Sequence, residues 1–180
     1  MSAFVRSRRA WGWHPLTDEW AGRIVADAAV CPGELVLDIG AGHGALTAEL
    51  VERGARVIAV ELHPARVRHL HERFAGRPVT VVQADALSVR LPRHPFRVVA
   101  SPPYAITSPL LRLLLAPSSH LTAADLVLQR AVVRRYASGP AGGPGRHPRQ
   151  WRMSAGRSLP RRAFRPPPRV DSVVLVMRRR

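Results

Sequence analysis

Residues 35 to 44, Leu-Val-Leu-Asp-Ile-Gly-Ala-Gly-His-Gly, limit the possible folds more than any other stretch. The apolar run Leu35 to Leu37 reads as a buried strand that ends in an acid and three closely spaced glycines. After Gly44 the apolar positions become Ala45, Leu46, Leu50 and Val51, which is helical spacing. A strand passing through a glycine turn into a helix brings backbone close to a ligand and aims the helix N-terminus at it. The spacing is Asp-x-Gly-x-Gly-x-Gly and the chain has no lysine, so a lysine-based phosphate loop is excluded. What remains is a nucleotide-like ligand held by its sugar and base.

Two later acids extend this reading. A second apolar strand, Val57 to Val60, ends at Glu61, 21 positions after Gly40. Folds of this kind hold ribose hydroxyls on a carboxylate at about that distance. A third strand, Val79 to Val82, runs into Asp85, placed to meet an adenine edge. Asp38, Glu61 and Asp85 therefore stand at three consecutive strand tips.

A fourth strand, Phe96 to Ala100, ends in Ser101-Pro102-Pro103-Tyr104. Two prolines fix a rigid turn at a strand tip, with an aromatic directly after it. The exocyclic amine of a nucleobase is a poor nucleophile, because its lone pair is delocalised into the ring. A side-chain oxygen and a backbone carbonyl accepting its two hydrogens localise that lone pair, while Tyr104 stacks an extruded base.

Charge points to the partner. The formal charge is +16, and every one of the 28 basic residues is arginine. From Arg130 onward there are 14 arginines against one acid, Asp171, whereas the first 129 residues hold 14 arginines and 11 acids. Such concentration suits a polyanion. Residues 1–16 form a basic arm in which Arg6, Arg8, Arg9, Trp11 and Trp13 interleave guanidinium groups with stacking rings. The 139–150 stretch is a Gly/Pro/Arg loop too poor in apolar residues to pack, so it is expected to be flexible. Residues 17–180 are expected to form one domain. Within it a helix runs from Asp18 to Ala29 after Thr17 as N-cap, and another from Pro64 to Phe74.

The remaining titratable residues carry less. The His63, Arg66, His69 and Arg73 face of the second of these helices reads as solvated surface. His43 either touches the ligand or fills the loop. Cys31, the single cysteine, reads as a small apolar residue leading into the first strand and permits no internal disulfide. No metal site, no membrane span and no signal peptide are expected, and the location is expected to be cytoplasmic.

The glycine motif, Glu61, Asp85, Ser101-Pro-Pro-Tyr104 and the ending Phe164-x-Pro-x-Pro-x-Val170-Asp171-Ser172 come in an order that resembles one family. It is that of the S-adenosylmethionine-dependent rRNA adenine N6-methyltransferases, which includes the 16S rRNA dimethyltransferases and the erythromycin-resistance (Erm) 23S rRNA methyltransferases. The arginine- and tryptophan-bearing N-terminus is most similar to mycobacterial and actinobacterial Erm proteins. The resemblance implies an α/β, Rossmann-like class I methyltransferase with a seven-stranded, mostly parallel sheet and an antiparallel C-terminal strand. It also implies S-adenosyl-L-methionine as cofactor, 23S rRNA as partner, and a monomer that confers macrolide-lincosamide-streptogramin resistance by methylating one adenosine.

The same resemblance implies roles for residues. Asp38, Gly40, Gly42, Glu61, Leu62, Asp85, Ala86 and Ser101 would bind the cofactor, joined by His14 and Leu16 where the family has Gln-Asn-Phe-Leu. Ser101, Pro102 and Tyr104 would hold the target adenosine. RNA would be gripped by Arg6, Arg8, Arg9, Trp11, Arg134, Arg161, Arg162 and Arg165. Two departures stand out: Ser101 replaces the family's Asn, and the family's helical C-terminal domain is expected to be absent, with Arg180 ending the chain after the strand Val173 to Met177. The alternatives are a 16S rRNA dimethyltransferase, a DNA amino-methyltransferase, and an RNA-binding factor that has lost turnover on the same fold.

Overall fold

The structure, a computed structural model, describes residues 14–138 and 150–180. Arg6, Arg8, Arg9, Trp11 and nearly all of the Gly/Pro/Arg loop lie outside the described residues. The elements in chain order are α1 (Asp18–Ala28), β1 (Leu35–Ile39), α2 (Ala45–Glu52), β2 (Arg56–Glu61), α3 (Pro64–Arg73) and β3 (Val79–Gln83). They continue with β4 (Phe96–Ala100), α4 (Thr107–Leu114), β5 (Leu121–Gln129), α5 (Arg130–Ala137), β6 (Trp151–Leu159) and β7 (Ser172–Arg179).

The seven strands form one sheet in the order β3-β2-β1-β4-β5-β7-β6. β1 to β5 run parallel, and β7 is antiparallel to both β5 and β6. This is the expected fold class. Alternation along each strand splits the apolar residues between two faces. Val36, Val57, Val99 and Val127 join α1 and α2 in one cluster, with Trp20, Ile24 and Leu50. Leu37, Ile39, Val98, Leu126 and Leu128 join α4 and α5 in the other, with Leu110, Leu114 and Val133. Each fully buried side chain of this size contributes about 1.5–3 kcal/mol, so the sheet is held from both sides.

Gly44 shows how closely α3 is pressed onto the glycine turn. Its φ is +84°, and a Cβ there would lie 2.6 Å from Cε2 of Phe74. Thr17 occupies the N-cap of α1 as expected, yet makes no side-chain capping bond. α1 is terminated by Ala29 in the left-handed region, and its last carbonyls are satisfied from the sheet. Arg97 donates to Ala28 O at 2.5 Å and to Glu34 Oε2 at 3.1 Å.

Residues 151 to 159, directly after the Gly/Pro/Arg loop, lie in β6 and pair with β7 from Trp151↔Arg179 to Leu159↔Ser172. Trp151 is buried, and Arg157 pairs with Asp27 of α1 at 2.5 Å, so both belong to the folded body. Cys31 is exposed in the turn before β1, its N–H donating to Glu34 Oε2 at 2.7 Å.

Candidate active site

Between β1 and β4 the strand order reverses: β2 and β3 extend to one side of β1, and β4 and β5 to the other. Chains leaving two such neighbours diverge, which opens a crevice at the C-terminal ends of the strands. The glycine turn leaves β1 there, and Ser101-Pro102-Pro103-Tyr104 leaves β4 there. Their backbones nearly touch. A Cβ on Gly40, whose φ is +79°, would lie 3.4 Å from Pro103 Cδ and 3.6 Å from Pro102 Cα. That spacing is ordinary van der Waals contact, so it is the positive φ that favours glycine here.

The turn offers few donors to a ligand. Gly40 and Ala41 donate their N–H groups to Val60 O at 2.8 and 3.0 Å, and Gly44 donates to Ala41 O at 2.8 Å. Gly42 N–H donates to Glu61 Oε2 at 2.9 Å. These amides are engaged internally, so this part of the turn meets a ligand as a shaped surface.

Glu61 is buried at the tip of β2. Its Oε1 accepts the His63 N–H at 2.8 Å and the Arg66 guanidinium at 2.9 Å. This corrects the reading of the α3 face as plain solvated surface. His63 caps the helix by accepting the Ala65 N–H, Arg73 donates to His43 O at 2.6 Å, and His69 meets His43 edge-on with ring centroids 5.3 Å apart. Burial holds His43 below the ordinary histidine pKa, with His69 and Arg66 adding to the effect.

Asp38 faces α2 from β1 and is buried, its Oδ2 accepting the Thr47 hydroxyl at 2.7 Å. Burial, reinforced by the charge of Glu61 and opposed by the Thr47 bond, lifts its pKa to about 7. Asp85 is exposed beyond β3 and accepts the Leu87 N–H at 2.8 Å through Oδ1. Leu62, directly after Glu61, is an exposed large apolar side chain, and Ala86 is half-buried. A carboxylate, an apolar side chain and a second carboxylate on adjoining strand tips fit a nucleoside: hydroxyls on Glu61, a ring face on Leu62, an exocyclic amine near Asp85.

On the β4 side, Pro102 is buried while Ser101 and Tyr104 are half-buried. Tyr104 Oη lies 2.5 Å from Ser172 Oγ. Burial raises the phenol above its ordinary pKa, and the Ser172 bond works against that rise. His14 approaches the same ring, with centroids 6.0 Å apart and planes at 33°, and its Nδ1 lies 3.0 Å from Pro166 O. Leu16 forms an isolated bridge to Phe164 and packs against the α1/α2 core cluster. Thr17 N–H donates to Ala163 O at 2.9 Å and Arg165 N–H to Pro15 O at 3.0 Å. Residues 14–17 are thus fastened to residues 163–166.

Among the candidate RNA-contacting residues that are described, Arg134, Arg161, Arg162 and Arg165 are all exposed. Arg161 donates to Arg169 O at 2.9 Å. Ser172, Arg66 and Thr47 were not singled out from sequence. Ser172 closes the Phe164-x-Pro-x-Pro motif, which marked it without giving it a role. Among the described residues, no group of three or more His, Cys, Asp or Glu could hold a metal ion, and no helix is long and apolar enough to cross a membrane.

A family model described as "Ribosomal RNA adenine dimethylase" matches residues 6–180. The chain is 37% identical over 186 residues to "Ribosomal RNA small subunit methyltransferase A" of Geobacter sulfurreducens, covering 96% of this chain and 67% of that protein. It is 40% identical over 168 residues to the protein of the same name from Leifsonia xyli subsp. xyli, covering 85% and 59%. Among solved structures, 23S rRNA methyltransferase ErmE superposes with a TM-score of 0.80 at 34% identity, covering 92% of this chain and 69% of that one.

Proposed function

The chain belongs to the ribosomal RNA adenine dimethylase family, and we propose that it transfers methyl from S-adenosylmethionine to the N6 amine of an adenosine in small-subunit ribosomal RNA. The observation that carries this reading is the juxtaposition of the glycine turn and the Ser101–Tyr104 turn across the β1/β4 reversal, where a Cβ on Gly40 would meet Pro103 Cδ at 3.4 Å. It sets a nucleoside-shaped surface beside a rigid turn suited to a base amine.

S-adenosylmethionine, when bound, supplies an electrophilic methyl on a sulfonium. Glu61, Leu62 and Asp85 would hold its adenosine portion, with the backbone of Gly40 against the methionine portion. Asp38 acts at one remove: its bond to Thr47 ties β1 to α2 below the turn. Tyr104 stacks the flipped adenine, and the Pro102 carbonyl and Ser101 hydroxyl accept the two N6 hydrogens. That polarisation restores nucleophilicity to N6. The bound cofactor would supply the methyl, its sulfonium sulfur leaving as the thioether, and the N6 proton, acidic only after transfer, would leave to water. Serine reaches less far than the family's Asn at position 101, so slower turnover than in relatives is expected. Positioning and polarisation account for the chemistry without a general base.

The small-subunit target rests on the named relatives, which favour it over the first expectation of a 23S target and an antibiotic-resistance role. A 23S target remains the second reading, favoured by the 34% identity to ErmE. Radiolabelled cofactor with deproteinised small-subunit and 23S rRNA, followed by primer extension, separates them. Label at an adenosine of small-subunit rRNA supports the first reading, and a stop only in 23S rRNA supports the second. Label in neither, with cofactor binding intact, overturns both.

A further inference from the structure

The described residues contain one polar contact that joins the target-base turn to the far side of the sheet, and neither the family resemblance nor the strand-tip geometry gives it a role. Tyr104 follows β4, and its hydroxyl meets Ser172 at the first residue of β7, 68 positions later, at 2.5 Å. Ser172 is buried, one of the few polar side chains in the interior. Its backbone is gripped from both sides, opposite Gln129 of β5 and Leu159 of β6. A hydroxyl fixed by two strand neighbours is a rigid anchor, whereas the 3-10 turn that carries Tyr104 is short and local. His14 lies along the same ring, and its own Nδ1 contact with Pro166 O places it on the segment that leads into Ser172.

We propose that Ser172 is a positioning residue whose hydroxyl fixes where the Tyr104 ring sits, and through it the place of the stacked target base. The inference rests on the reading of Tyr104 as the base-stacking residue. Rotation about the Tyr104 Cα–Cβ bond would swing Oη away from Ser172, so this part-buried hydroxyl pair holds the ring in place before RNA arrives. Preorganisation of this kind acts on the productive geometry, hence on turnover. It leaves the cofactor surface on Glu61 and Asp85 untouched.

The test is a double-mutant cycle on methyl transfer to rRNA. Ser172→Ala and Tyr104→Phe each remove the bond while keeping the packing and the aromatic ring. Each is expected to lower kcat about fivefold to tenfold, with KM for the cofactor unchanged. The double variant should be no slower than the slower single variant, and Ser172→Thr should recover most of the rate. Additive losses, or a wild-type kcat in Ser172→Ala, would overturn the inference. The same cycle read by denaturant unfolding measures the bond without any activity: coupling between the two sites is expected, and zero coupling also overturns it. If the wild-type chain methylates neither rRNA, the functional reading fails, and the unfolding cycle still decides whether the anchor exists.

Discussion

Oε2 of Glu61 accepts the N–H of Gly42 at 2.9 Å, so the tip of β2 and the turn after β1 form a single unit. With Oε1 taken by the His63 N–H and Arg66, the carboxylate is oriented before any ligand arrives. Glu61→Gln keeps the size but places an amide donor against one of these N–H donors. Binding of S-adenosylhomocysteine by calorimetry is expected to weaken about tenfold or more, since hydrogen bonds to a charged group contribute about 1.5–3 kcal/mol. Unchanged affinity would remove Glu61 from the cofactor surface.

Asp38 leads to a pH prediction. Its carboxyl pKa is raised to about 7 in the fold, against the ordinary aspartate value of 3.8. Between those limits the fold binds more protons than the unfolded chain, so this group's contribution to stability falls as pH rises through the window. Above about pH 7 the loss levels off. Asp38→Asn should therefore melt progressively higher than wild type from pH 5 to pH 7, with a constant gap beyond. A gap that stays constant from pH 5 to pH 7 would mean that Asp38 is ionised in the fold.

Arg97 sits where the C-terminus of α1 meets the sheet, between Glu34 at 3.1 Å and Asp125 at 3.6 Å. Removing it takes one of two cationic partners from buried Asp125, the other being Arg178, and strips half-buried Glu34 and the carbonyls of Ala28 and Ala29 of a donor. Arg97→Ala is expected to cost about 3–5 kcal/mol of unfolding free energy, as breaking a buried pair commonly does. Chemical denaturation measures this directly, and a loss below 1 kcal/mol would contradict the structural role.

The exposed Arg161, Arg162 and Arg165 lie on the segment between β6 and Ser172, on the side of the sheet where Tyr104 emerges. Replacing all three with Ala is expected to weaken rRNA binding and lower the slope of log K against log salt by about 2, at ~0.7 per single-strand phosphate. Cofactor affinity should not change. An unaltered slope would place the RNA grip elsewhere.

The left half of the sheet was legible because parallel strands buried on both faces read as continuous apolar runs that end in acids or prolines. β6 was not. As an edge strand it buries few side chains, and Arg152 and Arg157 between Trp151 and Leu159 interrupt any apolar run that would mark it. Arg97 carried a signal, a charge inside the apolar run Phe96 to Ala100, that only the packing of α1 explains. The acids and prolines of the site could be placed because each closes a strand. The Ser172 anchor could not, because its partner is 68 residues away and no periodicity links them. Likewise, the bridge from Leu16 to Phe164 depends on chain closure, which leaves no local pattern.

Nucleoside mass spectrometry of rRNA incubated with the protein and S-adenosylmethionine reads the base, the atom and the number of methyl groups in one experiment. N6-methylated adenosine should appear with the wild-type chain and fall to background with Tyr104→Ala, while that variant still binds S-adenosylhomocysteine. Methylation at any other base, or full activity in Tyr104→Ala, would contradict the assignment of the β1/β4 crevice as an adenine N6-methyl-transfer site.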